Sequence, residues 1–426
     1  MKKVLVITYY WPPSGGAGVQ RWLKNSKYLA ELGHEVHVLT LDENSASYPV
    51  EDLTLEKEIH PNITVHKTKS FEILQMYSKL FGKKNLPHGG FANVETKSLK
   101  SRLMRFIRGN FFLPDPRKGW NKFAIKKAKE VVHKFGITNI ITTSPPHSTQ
   151  LIGLTLKKTY KNKVNWIADF RDPWTDIFYY ELLNTSKRAH KINLKYERSV
   201  LENSDHIITA ANQFKELFLE KSVIIDSSKF SVINNGFDPA DFGKAIKKDT
   251  NEFIITYTGT MSDHYEPQVF FRNVQKVTEQ FPRQKIKVQI VGTISENLQK
   301  DIVKEIGDKV EFISYVPHEK AVEYMVTSNL LLLITGGNEA SIPGKVFEYL
   351  AADCPIICIG KGDASSIVEN CKAGKGFDRS EGEEILFFLN ETVHNHISNS
   401  TLTSNKNEIN NFSRKEQSKI IANLLK

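Results

Sequence analysis

The first forty residues limit the fold more than any other feature of this chain. An apolar run, Lys3–Tyr9, leads into a proline- and glycine-rich stretch, Pro12–Gly18. Apolar positions Val19, Trp22, Leu23, Leu29 and Leu32 follow at near-helical spacing. Gly33 ends the predicted helix, and Glu35–Thr40 reads as a second buried strand. Strand, helix, strand in that order predicts a βαβ unit, and such a unit builds a parallel sheet. Further strands are predicted at Ile63–His66, Asn139–Thr143, Trp166–Asp169 and Ile207–Ala210.

The pattern restarts after the turn-rich stretch Asn234–Pro239. Strands are predicted at Phe253–Thr258, Lys287–Val291, Val310–Ile313, Leu330–Ile334 and Pro355–Ile359, with helices such as Pro267–Phe281 and Glu319–Thr327 between them. Residues 395–412 are polar and read as a loop, and Ser413–Lys426 as a helix. A chain of 426 residues suits two or three domains. The reading is α/β, with two Rossmann-like doubly wound domains at 1–235 and 236–412 and a terminal helix at 413–426. Such sheets bind ligands at the carboxyl ends of their strands. If the two domains face each other, the cleft between them is the expected active site.

Composition removes several classes. Hydrophobic residues at 40% and charged residues at 25% suit a globular protein rather than a disordered one. Undiluted apolar runs such as Leu330–Ile334 are far short of a membrane span. Met1-Lys2-Lys3 followed by Val4–Trp11 mimics a signal peptide, but Pro12-Pro13 breaks it early, so a first strand and a cytoplasmic location are expected. Cys354, Cys358 and Cys371 are odd in number and lack C-x-x-C spacing, which argues against disulfides or zinc; no metal is expected.

The net charge of +10 is unevenly placed. Residues 1–235 hold 36 Lys/Arg against 22 Asp/Glu, a balance of +14, whereas residues 236–426 hold 22 against 26, or −4. Residues 79–129 alone hold 14 basic and 2 acidic residues. Within them, Arg102, Arg105 and Arg108 recur every third position among Leu103, Phe106, Ile107, Phe111, Phe112 and Leu113. A basic, aromatic, amphipathic segment suits an anionic membrane surface; a solvated helix face is the plainer alternative. Nucleic acid is not expected, because no recognition-module signature accompanies the charge.

Four other segments carry possible chemistry. Ser14-Gly15-Gly16-Ala17-Gly18 lies between the first strand and helix, where glycines admit a ligand and the helix N-terminus offers free N–H groups; a tight turn explains it equally. In Ser341-Ile342-Pro343-Gly344-Lys345-Val346-Phe347-Glu348-Tyr349-Leu350, Lys345 and Glu348 share a helix face. A carboxylate there can hold a ribose diol and a lysine a diphosphate, or the two form an ordinary ion pair. Asp169-Phe170-Arg171-Asp172 follows a strand and holds either acceptor-side charges or an Asp–Arg pair that fixes a loop. His147, also after a strand, is an acid/base or sugar hydrogen-bonding candidate, or a structural histidine. P-loop, serine-hydrolase elbow and H-E-x-x-H patterns are missing.

Together these segments resemble the family 4 glycosyltransferases of the GT-B fold, bacterial surface-polysaccharide type. The resemblance runs through Pro12–Gly18, Leu29–Val36, Val232–Asp238, Tyr257-Thr258-Gly259-Thr260 and Val316-Pro317-His318. It is strongest over Ile342–Leu350 and Ala351–Ile357. It implies two facing Rossmann-like domains and retaining, hexosyltransferase-type transfer from an NDP-sugar without a required metal. It also implies a final helix crossing back to the first domain. By position, Glu348 would bind ribose, Gly15 and Gly16 approach the diphosphate or sugar, and Gly259 and Thr260 line the phosphate site. Val316 would lie near the base, with Ser341 and Ile342 bordering the sugar; Arg171 and Asp172 match a motif of some bacterial members.

Two departures stand out. Family members often carry a glutamate eight residues before the position of Glu348, where this chain has Ala340. They also often carry Arg and Lys just after the strand ending at Gly259, whereas Met261–Pro267 has neither. Leaving-group charge then falls to Lys345 first, or to Arg171 or helix N-termini. The expected partners are an NDP-sugar, a lipid-linked or polysaccharide acceptor and an anionic membrane surface reached peripherally. An NDP-sugar epimerase and a non-catalytic nucleotide-sugar-binding or membrane-adaptor protein are the alternatives.

Overall fold

A computed structural model describes the chain except for residues 47, 49–50, 72–98, 178, 244–250, 262, 336–341, 399 and 401–402. The chain divides into two compact units. The first comprises residues 1–235 with 417–426, and the second 236–416.

In the first unit, β1 (Lys3–Ile7), α1 (Ala17–Glu31) and β2 (Glu35–Leu41) form the opening βαβ unit. There follow β3 (Ile63–Thr68), α2 (Leu99–Phe111), α3 (Asn121–Phe135), β4 (Asn139–Ser144) and α4 (Ser148–Tyr160). The unit continues through β5 (Asn165–Phe170), α5 (Lys187–Asn203), β6 (His206–Thr209), α6 (Asn212–Glu220) and β7 (Phe230–Val232). The seven strands are parallel, in the order β3-β2-β1-β4-β5-β6-β7. The central strands β1, β4 and β5 are buried nearly throughout, whereas the edge strand β3 alternates toward solvent. Leu5 and Ile7 enter one core with Ile140, Trp166 and Ala168, while Val4 and Val6 enter the other with Val36, Val38, Ile141 and Ile167.

The second unit repeats the plan. It contains α7 (Pro239–Phe242), β8 (Glu252–Met261), α8 (Gln268–Gln280), β9 (Lys285–Ile294), α9 (Glu296–Ile306), β10 (Val310–Ile313) and α10 (His318–Val326). Then come β11 (Leu330–Ile334), α11 (Lys345–Ala351), β12 (Ile356–Ile359), α12 (Asp363–Asn370), β13 (Gly374–Phe377), α13 (Gly382–Ile397) and α14 (Lys406–Asn410). Its six parallel strands run β10-β9-β8-β11-β12-β13. Leu330, Leu332 and Ile334 fill one core and Leu331 and Leu333 the other.

In each sheet the strand order reverses once, between β1 and β4 and between β8 and β11. Neighbouring loops diverge at such a point and leave a crevice at the carboxyl ends. The last helix, α15 (Arg414–Asn423), runs from the second unit's sequence into the first unit's. Within the first unit Gln417 donates to the carbonyls of Asn234 and Asn235, and Ile421 and Leu425 are buried with Val4 and Val6.

Several sequence expectations need correction. Residues 395–412 are not a continuous loop: α13 reaches Ile397 and α14 occupies Lys406–Asn410, anchored by buried Ile409. Strand β13 had no hydrophobic signature because glycine is required. A Cβ at Gly374 would stand 1.8 Å from the Ile356 carbonyl oxygen. Leu32 caps α1 and is exposed rather than buried. Among the described residues no helix is long and apolar enough to cross a membrane, and no His/Cys/Asp/Glu group suits a metal.

Candidate functional site

In the second unit the reversal between β8 and β11 brings Lys345 to the strand end that holds Gly259 and Thr260. Gly259, near the end of β8, has φ 101°, and a Cβ there would stand 3.4 Å from Lys345 Nζ. Lys345 opens α11 and reaches back across the sheet edge. Its Nζ donates to the Tyr257 hydroxyl at 2.7 Å and lies 3.9 Å from that ring's centroid. Tyr257 in turn donates to the Thr260 carbonyl at 2.6 Å, so a hydroxyl lone pair faces the lysine. Burial holds Tyr257 neutral by pushing its pKa well above the usual value. Burial also lowers the Lys345 pKa to about 7, with the charge of Glu348 opposing. Tyr349 hydroxyl, on the same helix, accepts from Thr258 N–H at 2.8 Å and locks α11 to β8.

Lys345 and Glu348 do not pair with each other. Glu348 bonds through Oε1 to His318 Nε2 at 2.9 Å, and Asp241 lies 3.9 Å from the other ring nitrogen. His318 therefore fixes one carboxylate oxygen of Glu348. Val316 and Ile342 are half-buried nearby in sequence to His318 and Lys345, and Thr260 is exposed at the strand end. Ser341 lies outside the described residues.

In the first unit the reversal lies between the loops after β1 and β4. Gly16, φ 91°, is the N-cap of α1, and that helix start has no side-chain cap. A Cβ at Gly18 would stand 2.7 Å from Arg171 Nη1, so the guanidinium rests on the first turn of α1. Arg171 also bonds Asp172 at 3.1 and 3.2 Å. The Arg171–Asp172 contact is the expected Asp–Arg pair, while Asp169 is fully buried and pairs with Arg21 of α1. Arg21 Nη2 lies 2.7 Å from Asp169, which also accepts from Trp22 and Thr143.

His147 precedes α4 and is 7% exposed, its ring stacked on Trp174 with centroids 5.0 Å apart. Neither ring nitrogen has a hydrogen-bond partner among the described residues. Burial lowers its pKa to about 3, helped by the charges of Arg108, Arg171 and Lys221. His147 is thus a neutral imidazole, suited to hydrogen bonding rather than proton transfer. Asp115 secures the start of α4 by accepting from Ser148 N at 2.7 Å, Ser148 Oγ at 2.8 Å and Arg117 N at 2.9 Å.

The predicted basic membrane face is rearranged. Arg105 is buried and half-buried Arg108 turns inward, donating to the carbonyls of Phe112 and Pro114 at 3.3 and 3.2 Å. Arg102 stays outside, with Leu103, Phe106, Ile107 and Phe111, the last 72% exposed; Phe112 is half-buried. The exposed face of α2 is therefore mainly apolar. Gly109 permits this, since a Cβ there would stand 2.5 Å from the Leu183 carbonyl oxygen and push the helix away. Sequence reading missed His318, Tyr257, Asp115 and Arg21 as functional or fastening groups. Each acts on a partner far away in sequence, Lys345 for Tyr257, Glu348 for His318, Ser148 for Asp115 and Asp169 for Arg21, which local spacing does not reveal.

Residues 252–385 match the family model "Glycosyl transferases group 1". No curated protein matches the chain. Among solved structures, HepE of Anabaena in complex with UDP aligns over 99% of both chains at 13% identity, with a TM-score of 0.63. Sucrose-phosphate synthase of Thermosynechococcus elongatus aligns over 100% of this chain and 98% of its own at 15% identity, TM-score 0.61. WaaG, a glycosyltransferase involved in lipopolysaccharide biosynthesis, aligns over 99% of both chains at 11% identity, TM-score 0.55. At these identities the likeness establishes the fold, two Rossmann-like units as in GT-B glycosyltransferases.

Proposed function

We propose that this protein is a retaining glycosyltransferase that moves a sugar from a nucleotide-diphosphate sugar to a lipid-linked or surface-polysaccharide acceptor. The observation that carries the reading is the Gly259–Lys345–Glu348 arrangement, which lies inside the stretch that matches the group 1 glycosyl transferase model. Glu348 would accept hydrogen bonds from a ribose diol through the carboxylate oxygen that His318 leaves open. Gly259 admits a diphosphate to the strand end, and Lys345 supplies the counter-charge for the leaving phosphate. Val316 would lie near the base, and Ser341 and Ile342 near the sugar. Gly15 and Gly16 would approach the diphosphate or sugar, and on the acceptor side Arg171, Asp172 and neutral His147 would orient the incoming hydroxyl.

The chemistry asks the protein mainly for positioning and charge stabilisation. The bond from anomeric carbon to phosphate oxygen breaks, a bond to the acceptor oxygen forms, and the acceptor proton passes to the departing phosphate. No strong protein base is needed, which suits a site whose histidine stays neutral. The apolar face of α2, with Arg102 at its edge, would rest in a membrane surface.

The test is thermal stabilisation by a panel of UDP, GDP, ADP, CMP and dTDP sugars. UDP-sugars come first, since HepE was crystallised with UDP and UDP-glucose. A ligand at a hundredfold excess over its dissociation constant stabilises the folded state by about 2.7 kcal/mol. One nucleotide should stabilise wild type and lose most of its effect in Glu348→Ala. No binding at millimolar levels, or equal binding by the variant, would sink the donor assignment. Release of nucleotide from that donor only in the presence of an acceptor separates transfer from epimerisation.

A further inference from the structure

The loop that follows β8 brings no cation of its own, since Met261–Pro267 holds neither Lys nor Arg. A cation reaches it from another element. Arg379, just past β13, donates from Nε and Nη2 to the Tyr265 carbonyl at 3.2 and 3.1 Å. Nη2 also donates to the Thr335 carbonyl at the end of β11. One guanidinium thus joins the loops on either side of the reversal between β8 and β11, where a crevice opens at the carboxyl edge.

The parallel register gives its level. Leu331 pairs with Thr256, so Thr335 continues β11 to the level that Thr260 has on β8. Gly259 and Thr260 form the strand end to which Lys345 comes. Gly360, at the end of β12, makes room for the arginine. Its φ is 108°, and a Cβ there would stand 2.2 Å from Thr335 Oγ1 and 3.4 Å from Arg379 Nη1.

The charge is not spent inside the unit. Among the described residues Arg379 makes no ion pair, and its Nη1 has no hydrogen-bond partner. Asp378 feels the guanidinium through space, but its carboxylate accepts from Ser380 N–H and hydroxyl at 3.0 and 2.7 Å. Glu381 pairs with Lys361, and Glu369 accepts from Gly376 N–H at 3.0 Å. Two carbonyls therefore fix the guanidinium without neutralising it. A half-buried cation held this way, with N–H groups to spare, matches a phosphate oxygen in charge and geometry.

We infer that Arg379 is a second cation of the donor site, binding through Nη1 an oxygen of the sugar-bearing phosphate of the nucleoside diphosphate. Lys345 alone answers only part of a diphosphate's charge. As the bond from phosphate oxygen to anomeric carbon breaks, negative charge grows on that phosphate, and a fixed guanidinium stabilises it. The inference rests on the glycosyl-transfer reading and adds to its site a residue that lies outside every motif.

The test is calorimetric titration of the full chain with UDP, GDP and ADP, each beside its monophosphate. For the base that binds, Arg379→Gln should weaken the diphosphate about tenfold or more and the monophosphate less than about twofold, as expected for one lost charge-assisted bond to the terminal phosphate. Arg379→Lys, which keeps the charge, should recover part of the diphosphate's advantage. Unchanged monophosphate binding shows that the variant is folded.

A diphosphate affinity unchanged in Arg379→Gln would overturn the inference. So would equal weakening of diphosphate and monophosphate, which marks an arginine that only fastens loops. In both cases the donor reading survives, because wild type still prefers the diphosphate. If wild type binds none of the three diphosphates, the donor reading fails and takes the inference with it.

Discussion

Donor binding should consume a proton above neutral pH, and the structure says where it goes. Lys345 Nζ faces a hydroxyl lone pair and a ring rather than a carboxylate, and burial lowers its pKa to about 7. A nucleotide sugar's diphosphate stays ionised through this range. Bound beside Lys345, it would favour the ammonium form and raise that pKa back toward the usual lysine range. At pH 8 only about one-tenth of free protein has Lys345 charged, so binding should take up ~0.9 proton; at pH 6 the uptake should be ~0.1. The sign is fixed: the bound state holds more protons, so affinity falls as pH rises above 7, by about tenfold per unit. Calorimetry in buffers of different ionisation enthalpy reads the uptake directly. Lys345→Gln should bind more weakly at pH 7 and lose both the slope and the uptake. A flat affinity between pH 7 and 9, or the same slope in Lys345→Gln, would refute the reasoning.

Other outcomes follow from named contacts. His318→Ala should weaken nucleotide binding about fivefold, through the ~1 kcal/mol of an orienting hydrogen bond, with His318→Gln recovering part of it in the same titration. Asp115→Ala strands the Ser148 N–H and hydroxyl, and should cost about 3 kcal/mol in denaturant unfolding. Arg21→Met leaves Asp169 buried without its cation and should cost ~3–5 kcal/mol, which Asp169→Asn in the same chain should partly restore. Changing Leu103, Phe106 and Phe111 together to Ser should reduce vesicle co-sedimentation more than Arg102→Glu does; the reverse order would return the membrane contact to charge alone.

The repeating βαβ architecture was readable because parallel strands buried on both faces are continuous apolar runs, as in Val4–Ile7 and Leu330–Ile334. Strand β13 was not, since close approach to Ile356 replaces hydrophobicity with glycine. The arginine triplet misled for a related reason: a spacing of three gives one helix face, but sequence does not say which face turns inward. Gly109, against Leu183, settles that through a contact 74 residues away in the chain. Lys345 and Glu348 lie on one helix, as their spacing predicts, but each side chain has its partner on another element. A motif locates a backbone; the partners of its charges come from topology.

The first unit is discontinuous along the chain. Its sheet is complete by Val232, yet Ile421 and Leu425 bury against Val4 and Val6, and Lys426 N–H bonds Asn139 at 2.8 Å on β4. During synthesis the opening domain must therefore wait, with an apolar groove uncovered, until some 180 intervening residues have left the ribosome. A chain released early would carry a finished-looking second unit and an unsealed first one. Such a product should be recognised by chaperones and proteases through that groove.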